Sequence, residues 1–374
     1  MKNCLFILLF ISLLTASVFA EKKIKLKTVD TSPMAEDLTK VPLAAFLADS
    51  AWHIINYKGE ELFSSTGIFE ILGYKDGFIR ARINDKGKSI YAFLNMKGEI
   101  VIKPECIFAF DFSEGMALSV RLNQFAQSMQ IFGYYDSTGK EVIPHIWDDA
   151  TEFSEGLAFV KNADSSGYID KTGKIVIPMD SIAGNPFHEG LADVNNADYK
   201  IGFMDHSGKM IIKYKFDEVK PFSEGRATVN VYGKFGYIDK AGKLSIKALF
   251  DFANPFQEGR AFVAISEDTA FIPHWGFIDT IGKVIADFKY ADVIDFSEGL
   301  AAVKKDKKWG FIDRDNKIIL PFEFNFVRGF KNGFAWASKK DENIYGFINK
   351  KGEYIIKLSN ASKVVDLRWN YKVK

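Results

Sequence analysis

Acids and bases recur at fixed places beside glycines, the pattern that acid–base or anion-binding chemistry would use. Glu114, Glu155, Glu189, Glu224, Glu258 and Glu298 each precede a glycine, and Lys140, Lys174, Lys209, Lys243 and Lys283 each follow one. Paired carboxylates suggest glycoside chemistry, and Gly-Lys suggests a phosphate loop. The phosphate loop fails on spacing. Gly133 and Gly139 enclose five residues where four are needed, and Glu141 stands where Ser or Thr is required. Repetition favours a plainer reading of the acids and lysines as alternating ion pairs along one rim, each contributing roughly 0–1 kcal/mol.

Other candidates reduce in the same way. Asp136, Asp170, Asp205, Asp239, Asp279 and Asp313 recur just before a turn. There a side-chain oxygen can accept backbone N–H groups, so turn capping is preferred to calcium binding. His53, His145, His188, His206 and His274 occupy different places in the pattern and show no ligand spacing. Cys4 and Cys106 are the only cysteines, too few for a disulfide framework or a thiolate metal site. No Gly-x-Ser-x-Gly nucleophile motif occurs. The expectation is a protein with no metal, no cofactor and no catalytic residues.

The elements carrying these residues are legible in Phe296–Pro321, FSEGLAAVKKDKKWGFIDRDNKIILP. Leu300–Val303, Trp309–Ile312 and Ile318–Leu320 are short apolar runs bracketed by Gly, Asn or Pro. They are too short for helices and suit strands. A fourth run, Ala291–Phe296, precedes Ser-Glu-Gly. The unit is four short antiparallel strands, A to D in chain order. Corner glycines between A and B are Gly77, Gly115, Gly156, Gly190, Gly225, Gly259, Gly299 and Gly333. Leu43 to Glu60 supplies B, C and D without an A strand, and a spare A-like run lies near 361–367. In a ring the spare strand completes the incomplete unit. The expected fold is all-β, tandem four-stranded antiparallel sheets in a β-propeller of about nine units. An open, curved β superhelix is the alternative. Phe112, Phe153, Phe187, Phe222, Phe256, Phe296 and Phe330 recur at one position. They are expected to pack between adjacent units, each contributing roughly 1.5–3 kcal/mol by burial.

These residues resemble the WG-repeat (KWG) family. The match is to Phe-Ser-Glu-Gly-Leu-Ala-x-Val, as from Phe296, then Trp-Gly-Phe-Ile-Asp-x-x-Gly-Lys, as from Trp275, then Ile-Pro, as at Ile177. Trp stands before the Gly only at Trp275 and Trp309, and at Trp52 before His53; Phe132, Phe235, Tyr345, Ile201 or Ser166 replaces it elsewhere. The resemblance covers about residues 43–367. It implies a β-repeat architecture, often in exported proteins, and supplies no catalytic motif.

Length variation is confined to one loop type. Corner Gly to strand-C Gly is 11 residues from Gly156 to Gly167 but 18 from Gly115 to Gly133 and 17 from Gly259 to Gly276. In a meander the B–C loops share one edge and the A–B and C–D turns the other. Irregular loops on a rigid scaffold are the usual binding surface. The longest hold Gln124, Phe125, Gln127 and Met129, and Asp268, Phe271 and His274. Amides and acids beside an aromatic suit a protein or glycan.

Residues 1–20 read as a secretory leader, with Lys2, an apolar run from Leu5 to Leu14, and Val18-Phe19-Ala20 before the cleavage point. A retained anchor is the alternative. No other long apolar segment follows, so no transmembrane segment is expected after cleavage. Residues 21–42 form a linker or edge segment, and 43–374 the repeat domain. The formal charge of +1 argues against a nucleic-acid partner. The functional expectation is an exported, non-enzymatic binding or scaffold protein in the periplasm, at the cell surface or secreted. A carboxylate-dependent hydrolase or lyase of envelope glycans, or a purely structural envelope protein, is the alternative.

Overall fold

The computed structural model describes residues 38–123, 129–179, 183–266, 273–339, 344–358, 361–369 and 371–372. The leader and most of the segment 21–42 lie outside them. Every regular element described is a strand, and the strands form nine antiparallel sheets arranged as a nine-bladed β-propeller. No helix among the described residues is long and apolar enough to cross a membrane.

Blade 8 shows the plan: A is Asp292–Ser297, B is Leu300–Lys305, C is Lys308–Asp313 and D is Ile318–Phe324. Blades 2 to 9 contain the corner glycines Gly77 to Gly333 in order. In blade 6 strand A shrinks to a bridge between Val219 and Val229. Blade 1 is composite. Its strands Pro42–Ala48, Ala51–Asn56 and Glu61–Ser65 come from the start of the domain, and Lys363–Asp366 supplies the missing A strand. The register runs from Ala44 opposite Asp366 to Leu47 opposite Lys363. This pairing makes a closed ring and removes the open superhelix.

Strand A lines the axis. In blade 2 it is Ile68–Lys75, and it touches both the closing strand and strand A of blade 3, Phe108–Ser113. Tyr371–Lys372 pairs with the free side of the closing strand, so blade 1 carries a fifth strand on its axial side. Strand D is the outer edge. Pro144, Pro178 and Pro321 lie on D strands, where a missing N–H weakens the edge as a template for another chain.

Two local rules explain the repeated glycines. At the A–B corner both residues of Glu-Gly have positive φ, as in Glu298 at 54° and Gly299 at 83°. That is the two-residue hairpin turn matched to strand twist. In strand C the Gly after Trp has no room for a side chain. A Cβ on Gly276 would lie 2.5 Å from the Ala286 carbonyl oxygen, and one on Gly310 would lie 2.7 Å from that of Leu320. Strand D bulges at this point.

The repeated phenylalanines are buried and join neighbouring blades. Phe296 of blade 8 meets Phe277 of blade 7 at 5.0 Å between ring centres, and Phe330 of blade 9 meets Phe311 of blade 8 at 5.0 Å. Each packs on the residue after the strand-C glycine of the preceding blade. The aromatic stagger is edge-to-face, the favoured geometry.

Candidate functional site

The corner end of the ring is a hydrogen-bonded ladder. Each corner glutamate accepts the backbone N–H of the next blade's corner glycine. Glu114 takes it from Gly156 at 3.0 Å, Glu189 from Gly225 at 2.9 Å, Glu224 from Gly259 at 2.8 Å and Glu258 from Gly299 at 2.8 Å. Glu155 and Glu298 do the same to Gly190 and Gly333. The preceding serine donates to the next blade's phenylalanine carbonyl, as in Ser113 to Phe153 at 2.9 Å and Ser223 to Phe256 at 2.7 Å.

The ion pairs differ from expectation in their cation. It stands two residues before the turn Gly or Asn. Lys171 is 3.3 Å from Glu114, Lys240 is 3.4 Å from Glu189, Arg314 is 2.8 Å from Glu258 and Lys350 is 3.4 Å from Glu298. The lysines after the glycine instead give their backbone N–H to the turn aspartate, as Lys140 does to Asp136 at 3.0 Å. The bonds follow from geometry: the residue two before the turn glycine overhangs the preceding blade. Burial opposes ionisation of Glu258, but Arg314 and two backbone N–H groups outweigh it and hold the carboxyl below its ordinary range.

At the opposite end lie the B–C loops. Of the residues singled out there, Gln124, Phe125, Gln127, Asp268 and Phe271 fall outside the described residues. Met129 is half exposed, at 50 %, and its carbonyl accepts the Asn123 N–H at 2.8 Å to close the loop. His274 is partly buried and opens the strand His274–Asp279, paired with Ile265. Two further aromatics stand out at this end. Tyr199 is 70 % exposed and Tyr232 is fully exposed, in the B–C turns of adjacent blades 5 and 6. Both have positive φ, 57° and 52°, which is costly for a bulky residue. The available signal was an aromatic in a turn; loop length drew attention elsewhere.

A third group faces the axis near the corner end. Arg80 Nε of blade 2 is 2.7 Å from Asp111 Oδ1 of blade 3. Lys75 of blade 2 lies 3.9 Å from Glu152 of blade 4, past blade 3. That reach is possible only across the axial side. Around the ring, Lys220 Nζ donates to Asn254 Oδ1 at 3.1 Å, and Asn254 Nδ2 donates to Asp295 Oδ2 at 2.8 Å. Burial pushes Asp295 up to about 6 against the pull of Asn254 and Lys220. Burial also raises Glu152 and lowers Lys220. These residues occupy the two positions before the repeated phenylalanine, or the strand B and corner sites beside it.

One constellation in blade 3 has the connectivity of a hydrolytic triad. Ser119 Oγ is 2.9 Å from His145 Nε2, and His145 Nδ1 is 2.9 Å from Glu141 Oε1. Ser119 is wholly buried, with Oγ 3.2 Å from the Gly133 carbonyl. Burial holds the imidazole below its usual range despite Glu141. A Cβ on Gly133 would lie 2.7 Å from His145 Nδ1, so the imidazole fills space that the glycine leaves. With Ser119 wholly buried among the described residues, this is a packed polar network. Burial pushes the Cys106 thiol up to about 12, far from a reactive thiolate. Among the described residues no group of three or more His, Cys, Asp or Glu is placed to hold a metal ion.

Comparison with known proteins fits the ring. A family model described as "WG containing repeat" matches residues 91–121, 132–164, 167–199, 201–235, 235–266, 275–309, 309–342 and 345–358, well over half the chain. No curated protein matches. Among solved structures, one titled as a eukaryotic initiation factor superposes with a TM-score of 0.58 at 9 % identity, covering 86 % of this chain and 97 % of that one. BamB from Moraxella catarrhalis gives 0.39 at 12 % identity, covering 85 % and 98 %. The first of these shows a shared fold and nothing finer.

Proposed function

We propose that this chain, which belongs to the family of WG-containing repeat proteins, is an exported, non-enzymatic binding scaffold. Its B–C face takes a protein partner. A repeat propeller fits a binding or scaffold role. The observation that carries the reading is the pair Tyr199 and Tyr232, exposed on neighbouring blades of the irregular face and held there against unfavourable φ. Exposed aromatics give large contact area at small entropic cost and are enriched at interfaces. Half-exposed Met129 adds an adaptable apolar contact at the same end. The corner carboxylates that a hydrolase or lyase could have used are engaged in the ladder between blades. Export rests on the leader-like residues 1–20.

Affinity capture from envelope fractions tests the face. The wild-type chain should enrich a protein that a Tyr199→Ser, Tyr232→Ser double variant of equal stability fails to retain. Equal retention by both would refute the assignment. Cell fractionation tests export. The expected product lacks residues 1–20 and lies outside the cytoplasm; an unprocessed cytoplasmic chain contradicts the proposal.

A further inference from the structure

We propose that the axial mouth at the corner end is a second binding site, for a neutral, hydroxyl-rich oligosaccharide. The sugar is seated on the Trp369 indole and held by Lys220, Asn254 and Asp295. This site lies at the opposite end of the axis from the B–C loops and does not depend on the function assigned to them.

The platform is unusual for this chain. Trp52, Trp147, Trp309 and Trp336 are buried, whereas Trp369 is 43 % exposed. It is nevertheless fixed. Its backbone N–H donates to the Asp366 carbonyl at 3.2 Å. The preceding Arg368 is buried, pairs with Asp366 at 2.5 Å and donates to the Lys331 carbonyl at 2.8 Å. Lys331 Nζ lies 5.0 Å from the indole centre. The indole lies beside Gly329, where a Cβ would stand in ordinary contact, 3.8 Å from Trp369 Cζ2. Gly329 is at the position held by Asp111, Glu152 and Asp295 in other blades. A fixed aromatic plane needs no ordering when a sugar ring lies on it.

The strand that carries Asp295 borders this plane through Gly329. The same point on Gly329 is 3.8 Å from Ile294 Cγ2, and Asp295 follows Ile294. Lys220, Asn254 and Asp295 present an ammonium, a carboxamide and a carboxylate in series. A hydroxyl both donates and accepts, so vicinal hydroxyls fit alternating donors and acceptors. The row carries one positive and one negative group, so it does not select an ion. The fold itself does not require an acid at Asp295. Proline fills the same position at Pro186, Pro221 and Pro255 in blades 5 to 7. Burial makes the charge on Asp295 costly, which adds to the geometry the perturbed ionisable group that binding clefts often contain.

The test is calorimetric and fluorimetric titration of the purified chain with maltohexaose, cellohexaose, xylohexaose and chitohexaose. At least one should bind saturably and change the tryptophan emission. Trp369→Ala should weaken that binding at least tenfold and remove the emission change. Asn254→Ala should weaken it at least tenfold. Trp369→Phe keeps a ring in place and should bind within threefold of the wild type. Leu249→Ser, exposed on the outer D strand of blade 6, should bind unchanged. If Trp369→Ala fails to fold, Asn254→Ala and Trp369→Phe decide. Failure of all four sugars to bind overturns the proposal. So does binding that survives the Trp369 and Asn254 substitutions within threefold, or that is lost in Leu249→Ser.

Discussion

Glu258 in blade 7 receives the backbone N–H groups of both Glu298, at 2.6 Å, and Gly299, at 2.8 Å, from the corner of blade 8. Six such carboxylates stitch six consecutive blade junctions. Glu258→Ala should lower stability by about 1–2 kcal/mol, since it leaves two backbone donors without their charged acceptor. The folded carboxyl ionises below its ordinary range. Its contribution is therefore complete above the unfolded value of about 4.3 and is lost as pH falls through the folded value. Urea melts of wild type and Glu258→Ala should converge in acid. A difference that persists undiminished well below pH 4 would count against the ladder.

Asp295 has the opposite sign. Burial raises its folded pKa to about 6, so ionisation opposes folding. The wild type is spared that cost below about 3.9, and bears it increasingly as pH rises through about 6. Asp295→Asn can still accept from Asn254. It should be more stable than wild type by about 1–3 kcal/mol at pH 7.5 and nearly equal to it at pH 3.5. A variant less stable at pH 7.5 would mean that attraction to Lys220 outweighs burial.

Phe296 and Met129 separate scaffold from surface. Phe296 is buried against Phe277, and Phe296→Ala should cost about 3–5 kcal/mol. Met129 is half exposed, and Met129→Ser should stay within about 0.5 kcal/mol. Comparable losses in thermal melts would erase the distinction between ring and loop.

The ring was legible in the sequence because its glycines answer to local geometry. Gly299 needs positive φ and Gly276 needs to lack a Cβ, so both recur at fixed spacing. Closure was legible because Leu43 to Glu60 lacked a strand that 361–367 could supply. The cation of each rim pair was misplaced because its partner lies in the preceding blade, as with Lys171 and Glu114, 57 residues apart. Spacing within one unit does not report the overhang between units. The axial row was missed for a related reason. Asn254 and Asp295 precede a recurring core position but face the axis, so neither obeys the unit's apolar period. Tyr199 and Tyr232 lie in turns near the usual length, where a search for long loops passes over them.

Loss of the closing strand should make the ring self-associate. Removing residues 363–374 strips the partner from Ala44–Leu47 and leaves an apolar strand edge open. The shortened chain should self-associate in size-exclusion chromatography with light scattering, and Val364→Asp should do so to a lesser degree. A monomeric, equally stable truncation would show that the other blades suffice.

The pairing of Ala44 with Asp366 also sets a timetable. The first of the described strands has to wait for one encoded more than three hundred residues later. At translation rates of roughly 5–20 residues per second, that interval is on the order of tens of seconds. Throughout it the edge of Ala44–Leu47 has no strand to pair with. Folding of the ring therefore cannot finish before its last blade has been made.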